Sequence, residues 1–199
     1  MDQQIKLMIA DDHAIMREGL KQIFALDNTI EVVCEAPAGS QVLARLRHHE
    51  VNLLLLDISM PGLSGEDLIN RITPQYPELR ILVLSMYNEP QIARRVLNSG
   101  ALGYITKDKP PEALLHAIRT VARGARYIDY DLAQEIVFSD YHGGNRAPHE
   151  SLTMRERQIM IMLAHGETIN AIADTLSISN KTVSTYKSRM MKRMKFSNN

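Results

Sequence analysis

With 199 residues, 45% of them hydrophobic and 23% charged, the chain is long enough for one large or two small domains with cores of their own. No apolar run approaches the roughly 18 residues that a membrane span needs, and Met1-Asp2-Gln3-Gln4 leads directly into an apolar stretch, so the expectation is a cytoplasmic protein without a leader. The formal net charge of zero hides an asymmetry: residues 1–123 carry 13 Lys and Arg against 15 Asp and Glu, residues 124–150 carry 2 against 5, and residues 151–199 carry 8 against 3. A basic C-terminal part on an acidic body points to a polyanionic partner.

In chain order, Ile5–Ala10 reads as a strand that runs into Asp11-Asp12. Ala14 to Leu26 carries Ile15, Met16, Leu20, Ile23 and Phe24 at helical spacing. Strand Ile30–Ala36 holds Cys34, the single cysteine, which supports neither a disulfide nor a thiolate metal site. After a helix over Ser40–His48 comes Leu53-Leu54-Leu55-Leu56-Asp57, an apolar run that ends on one carboxylate before Met60-Pro61-Gly62. That is the pattern of a strand buried on both faces of a parallel sheet. Helix Leu63–Ile72, strand Ile81–Leu84 ending at Ser85, helix Pro90–Ser99, strand Leu102–Thr106 ending at Lys107 and helix Pro111–Arg123 continue the alternation. Five strands and five helices in so short a span predict a doubly wound α/β domain over 1–123.

Such sheets bind ligands beyond the carboxyl ends of their strands, which is where Asp11, Asp12, Asp57, Ser85 and Lys107 all fall. Clustered carboxylates repel one another unless a cation joins them, and a hard oxygen-ligand ion such as magnesium, Mg²⁺, suits them. A carboxylate beside such an ion, with an ammonium in reach, has the makings of an acceptor in phosphoryl transfer. Taken singly, each residue is better explained as a cap, a turn former or a surface lysine. Their coincidence at four strand ends favours the functional reading.

The linker, residues 124–150, reads as a short helix over Asp131–Phe138 followed by a polar, breaker-rich tether from Ser139 to Pro148. In 151–199, Thr153 and Glu156 form a capping box, Ile159, Met160, Met162 and Leu163 supply an apolar face, and His165-Gly166 closes the helix. A second helix spans Ile169–Leu176, and a third runs from about Lys181 to Met194, capped by Ser179 or Asn180. From Ser179 onward there are six Lys and Arg and no acid, which reads as a helix-turn-helix with a basic recognition helix.

Two sets of residues carry a family resemblance. Asp11-Asp12, Asp57 with Met60-Pro61-Gly62, Ser85, Tyr104 and Lys107 resemble the receiver domain of two-component response regulators, of flavodoxin- and CheY-like fold. Leu152-Thr153-x-Arg155-Glu156, Ile172-Ala173 and Ser179-Asn180-Lys181-Thr182-Val183-Ser184-Thr185-Tyr186 resemble the LuxR-type helix-turn-helix. The whole chain is similar to NarL/FixJ-type regulators, and its recognition helix looks closest to virulence regulators of the BvgA/EvgA kind.

The resemblance implies a five-stranded sheet in the order 2-1-3-4-5, and a regulator instead of an enzyme. Asp57 would take a phosphoryl group from a histidine kinase, a phosphotransfer protein or a small phosphodonor. Asp11, Asp12, Asp57 and the Ser59 backbone carbonyl would hold Mg²⁺, with Lys107 and Ser85 assisting. Tyr104 would turn inward as the switch, and Ser59 and Tyr87 would set the lifetime of the phosphate.

The output would be double-stranded DNA bound by a homodimer formed on phosphorylation. Ser184, Thr185 and Ser188 match positions that enter the major groove, with Thr182 beside them. Lys181, Tyr186, Lys187 and Lys192 are better placed to hold phosphates, while Val183, Met190 and Met194 face the core. In that family a further helix follows, so a chain ending at Phe196-Ser197-Asn198-Asn199 is expected to carry a shortened DNA-binding domain. A phosphoaspartate hydrolase is the enzymatic rival, but it needs a second acid where Ser59 stands. A phosphorylation-independent regulator would have no use for the acid and lysine set.

Overall fold

A computed structural model describes residues 4–63, 65–141 and 152–194. They fall into two compact units, Met1–Ile136 and Val137–Asn199. Among the described residues, no helix is long and apolar enough to cross a membrane.

The first unit contains β1 (Ile5–Ala10), α1 (Ala14–Phe24), β2 (Ile30–Ala36), α2 (Gly39–Leu46), β3 (Leu53–Asp57), α3 (Gly65–Ile72), β4 (Arg80–Ser85), α4 (Pro90–Asn98), β5 (Gly103–Thr106), α5 (Pro111–Ala122), β6 (Tyr127–Ile128) and the start of α6 (Tyr130–Tyr141). The sheet is parallel throughout, in the order β2-β1-β3-β4-β5-β6. The expected order of the first five strands holds, and the expected count of five does not. The sixth strand is only two residues long, too short for any hydrophobic period to reveal, and it falls in what the sequence reads as linker. Gly103 admits it: a Cβ there would come within 3.2 Å of the Tyr127 carbonyl and 2.8 Å of Leu82 and Val121 side-chain atoms.

The pleat divides the apolar strand residues between two faces. Leu7, Ile9, Leu53, Leu55, Leu82, Leu84 and Ile105 pack with Leu20 and Phe24 of α1 and Leu114, Ile118 and Val121 of α5. Met8, Leu54, Leu56, Val83 and Tyr104 alternate with them and are equally buried on the other side. α1 ends at Phe24, two residues short of the expected Leu26, which is 89% exposed and so has no core contact to extend the helix. At the other end of the unit, Arg94 of α4 donates a 2.7 Å hydrogen bond to the Ile136 carbonyl of α6. α6 itself continues to Tyr141, past the expected Phe138, and the rest of the expected tether lies outside the described residues.

The second unit is helical: α7 (Met154–Ala164), α8 (Ile169–Thr175) and α9 (Asn180–Arg193) enclose Ile159, Ile172, Ala173, Leu176 and Val183. The Thr153 hydroxyl accepts from the Glu156 N–H and the Glu156 carboxylate accepts from the Thr153 N–H, which completes the expected capping box. Ser179 caps α9, its hydroxyl accepting from the Thr182 N–H at 3.1 Å. The C-terminal turn of α7 closes on Gly166 at φ +82°.

Candidate functional site

Because the strands are parallel and staggered by little, their carboxyl ends meet on one edge. Ala10 lies opposite Leu56, Asp57 opposite Leu84, and Ser85 opposite Thr106. The residues that end or follow β1, β3 and β5 therefore converge. The Lys107 ammonium donates to Asp11 Oδ2 and to Asp57 Oδ2, both at 2.7 Å, and the three side chains are 3% exposed or less. The second oxygens are also held: Asp11 Oδ1 accepts from the His13 N–H and Asp57 Oδ1 from the Ser59 N–H, each at 2.7 Å. Such charge-assisted bonds fix both carboxylates before anything else arrives.

The charge balance at this edge is uneven. Burial alone would lower the Lys107 pKa, but its bonds to Asp11 and Asp57 outweigh that and raise it, so the ammonium form is secure at neutral pH. One ammonium faces three carboxylates, since Asp12 sits beside the pair with its side chain 29% exposed. Asp11, Asp12, Asp57 and His13 each offer a ligand atom, and these atoms lie within 4.8 Å of one another. The hydroxyl of Ser59, buried in the loop after Asp57, has no hydrogen-bond partner among the described residues. An excess of hard oxygen donors with an unsatisfied hydroxyl next to them is compatible with a divalent cation such as Mg²⁺.

Ser85 and Tyr104 form an adjoining network. The Ser85 hydroxyl accepts from the Tyr87 N–H at 3.1 Å, and the Tyr104 phenol donates to the Tyr87 carbonyl at 2.7 Å. Tyr104 is fully buried, and burial pushes its phenol well above the ordinary tyrosine range. Sequence reasoning placed Asp11, Asp12, Asp57, Ser85 and Lys107 at strand ends and took Tyr104 from the resemblance, but it left out His13. The imidazole follows Asp11-Asp12 directly, and its proximity to two acids was the available signal.

On α9, Lys181, Ser184, Thr185, Lys187, Ser188 and Lys192 are exposed, on the side away from the core. Thr185 donates its hydroxyl to the Lys181 carbonyl at 2.9 Å, and the Thr182 hydroxyl lies 2.7 Å from that of Ser179. Tyr186 is half-buried and packs against the helical core. Its spacing from Val183 and Met190 places it on the apolar stripe, a period the family match obscured. Sequence reasoning also missed Arg193, whose guanidinium donates to Glu156 Oε2 at 2.8 Å and so ties the end of α9 to the start of α7.

Comparison with known proteins agrees with this arrangement. Residues 7–119 match the response regulator receiver domain, and residues 150–199 match the bacterial regulatory proteins of the luxR family. The response regulator UvrY of Escherichia coli is 34% identical over 191 residues, covering 96% of this chain and 88% of its own length. The structure of RcsB from Salmonella enterica serovar Typhimurium bound to promoter P1flhDC with phosphomimetic BeF3⁻ superposes with a TM-score of 0.68 at 27% identity, covering 98% of this chain and 94% of that one. Two RcsB dimers bound to two parallel DNAs give 0.65 at the same identity and the same coverage. Two family matches in tandem and a relative similar along nearly the whole chain place this protein among the response regulators of two-component systems, with a receiver domain followed by a luxR-type DNA-binding domain.

Proposed function

We propose that Asp57 is the phosphoacceptor of this regulator, and that its modification controls DNA binding by the helical unit. The observation that carries the reading is the buried Lys107 ammonium shared between Asp11 and Asp57 at the carboxyl ends of three parallel strands. The donor is a phosphohistidine of a kinase or phosphotransfer protein, or a small acyl phosphate. The P–N or P–O bond of the donor breaks, its electron pair leaves with the donor, and a new P–O bond forms to the Asp57 carboxylate. A Mg²⁺ ion at the site, held by Asp11, Asp12, Asp57 and the Ser59 carbonyl, would neutralise charge on the transferred group. Lys107 keeps Asp57 oriented and is positioned to pair with a phosphoryl oxygen once Asp57 is esterified. The Ser59 hydroxyl, otherwise unsatisfied, is a further donor for that group.

Ser85 links this chemistry to the rest of the unit. Drawing its hydroxyl toward a phosphoryl group would loosen its bond to the Tyr87 N–H, and with it the segment, also held by Tyr104 at the Tyr87 carbonyl, that leads into α4. On the output side, Ser184, Thr185 and Ser188 with Thr182 are the residues for base edges, and Lys181, Lys187, Lys192 and the rim of Tyr186 for phosphates. Paired half-sites would call for a dimer, as in the DNA-bound RcsB dimers. Residues 151–199 are the output domain in this reading, and the receiver extends beyond residue 123 through β6. A DNA-bound regulator of this class would work in the cytoplasm.

The test is to incubate the protein with acetyl phosphate and Mg²⁺ and follow intact mass and assembly state together. A single phosphoryl adduct on wild type, absent from Asp57→Ala and accompanied by dimerisation, supports the reading. An Asp57→Ala variant that is phosphorylated like wild type sinks it.

A further inference from the structure

His13 stands next to the carboxylate cluster, and neither the receiver chemistry nor the helix it precedes accounts for it. It is the N-cap of α1, yet its side chain makes no capping hydrogen bond. Instead its Nδ1 lies 3.1 Å from Asp12 Oδ1 and 3.2 Å from Asp11 Oδ1, on a ring that is 67% exposed. Atoms bound at about 2.1 Å to one ion sit roughly 3.0 Å apart at adjacent octahedral positions and about 3.4 Å apart in a tetrahedron. The imidazole nitrogen is therefore at the separation from both carboxylates that a shared ion would require. All four ligand atoms lie within 4.8 Å of one another, so a closure of at most about 0.6 Å brings the widest pair to opposite positions near 4.2 Å.

We propose that His13 supplies a nitrogen ligand to this site, so that the cluster binds a borderline first-row transition-metal ion, such as Co²⁺ or Zn²⁺, more tightly than its carboxylates alone would. The inference rests on the reading of Asp11, Asp12 and Asp57 as a cation site. Carboxylate and carbonyl oxygens suit Mg²⁺, whereas imidazole suits the later divalent ions, so a single nitrogen changes selectivity much more than it changes Mg²⁺ binding. The exposure of His13 allows the ring to engage or leave without disturbing the buried Lys107 pairs.

The experiment titrates full-length wild type, His13→Ala, Asp12→Asn and Asp57→Asn with Co²⁺ and, separately, with Mg²⁺. Calorimetry gives the affinity, and the visible absorption of Co²⁺ reports nitrogen ligation directly. The expected result is a loss of about tenfold or more in Co²⁺ affinity for His13→Ala, with altered absorption bands and a Mg²⁺ affinity within about twofold of wild type. Because the side chain makes no cap bond, circular dichroism of His13→Ala should match wild type. A Co²⁺-to-Mg²⁺ affinity ratio unchanged in His13→Ala overturns the proposal, while loss of both ions in Asp57→Asn would still uphold the cation site. Retention of both ions by Asp12→Asn and Asp57→Asn removes the cation reading and the role of His13 together.

Discussion

Each unit buries an acid at the start or end of a secondary element, and they treat it in opposite ways. In the helical unit Glu156, 1% exposed, is matched by one cation: its Oε2 accepts from the Thr153 N–H and from Arg193, and the result is a lock between α7 and α9. In the receiver, Asp11 and Asp57 share one lysine, a third acid stands beside them, and a serine hydroxyl is left over. A buried acid matched by one cation holds a structure together, whereas hydrogen-bonded carboxylates that outnumber their one ammonium favour a further cation or a transferable group. In the function proposed above, the receiver concentrates its chemistry in buried residues, and the helical unit keeps its contacts on the exposed side of α9.

The strongest way to break this contrast is to remove the shared lysine. Lys107→Met leaves two buried carboxylates uncompensated and is expected to cost about 3–5 kcal/mol in urea unfolding at neutral pH, with part of the loss recovered on adding Mg²⁺. Its pH dependence sharpens the point. The Lys107 pKa is raised in the folded protein, so its pairing contributes in full below the unfolded lysine value near 10.4 and is lost as pH rises through the folded value. Alkaline unfolding curves of wild type should therefore fall in that window more steeply than those of Lys107→Met. Equal slopes would mean the ammonium is not the group that holds the acids.

Glu156→Ala probes the satisfied side of the comparison. Loss of the cap and of the Arg193 bond should destabilise the helical unit by about 1–3 kcal/mol in thermal melts, and added Mg²⁺ should restore nothing. Tyr104→Phe is expected to cost about 1 kcal/mol, since one hydrogen bond to the Tyr87 carbonyl is lost and the ring still fills its site. A loss above about 3 kcal/mol would show that the phenol does more than this one bond. The smallest effect belongs to the exposed side of α9: Lys187→Ala should leave stability unchanged and reduce the salt dependence of DNA binding by about one phosphate contact. An unchanged slope would take Lys187 out of the interface.

The sequence shows the receiver site well because its strands are unbroken apolar runs with chemistry at their ends. Leu53–Leu56 can hardly be anything but a central strand, and that alone positions Asp57. β6 escaped because two residues carry no period. Tyr186 reads as a phosphate contact through the family resemblance, although its spacing from Val183 and Met190 puts it on the apolar stripe, and it packs against the cluster that holds Val183. Arg193 pairs with a residue 37 positions away, a link that no local pattern announces. The exposed residues of α9 were legible as a face, although which hydroxyls are already engaged, as in Thr185, was not.

The two-residue β6 also decides where the protein can be cut. It pairs with Gly103 and Tyr104, and the Tyr127 N–H also bonds to the Leu102 carbonyl at 3.0 Å. A fragment ended at residue 123, where the helical pattern of α5 runs out, would strip β5 of that partner and leave a buried strand as a bare edge. Unpaired edges of this kind recruit other chains. A receiver fragment carried to Ile136 should stay monodisperse at concentrations where the shorter one self-associates.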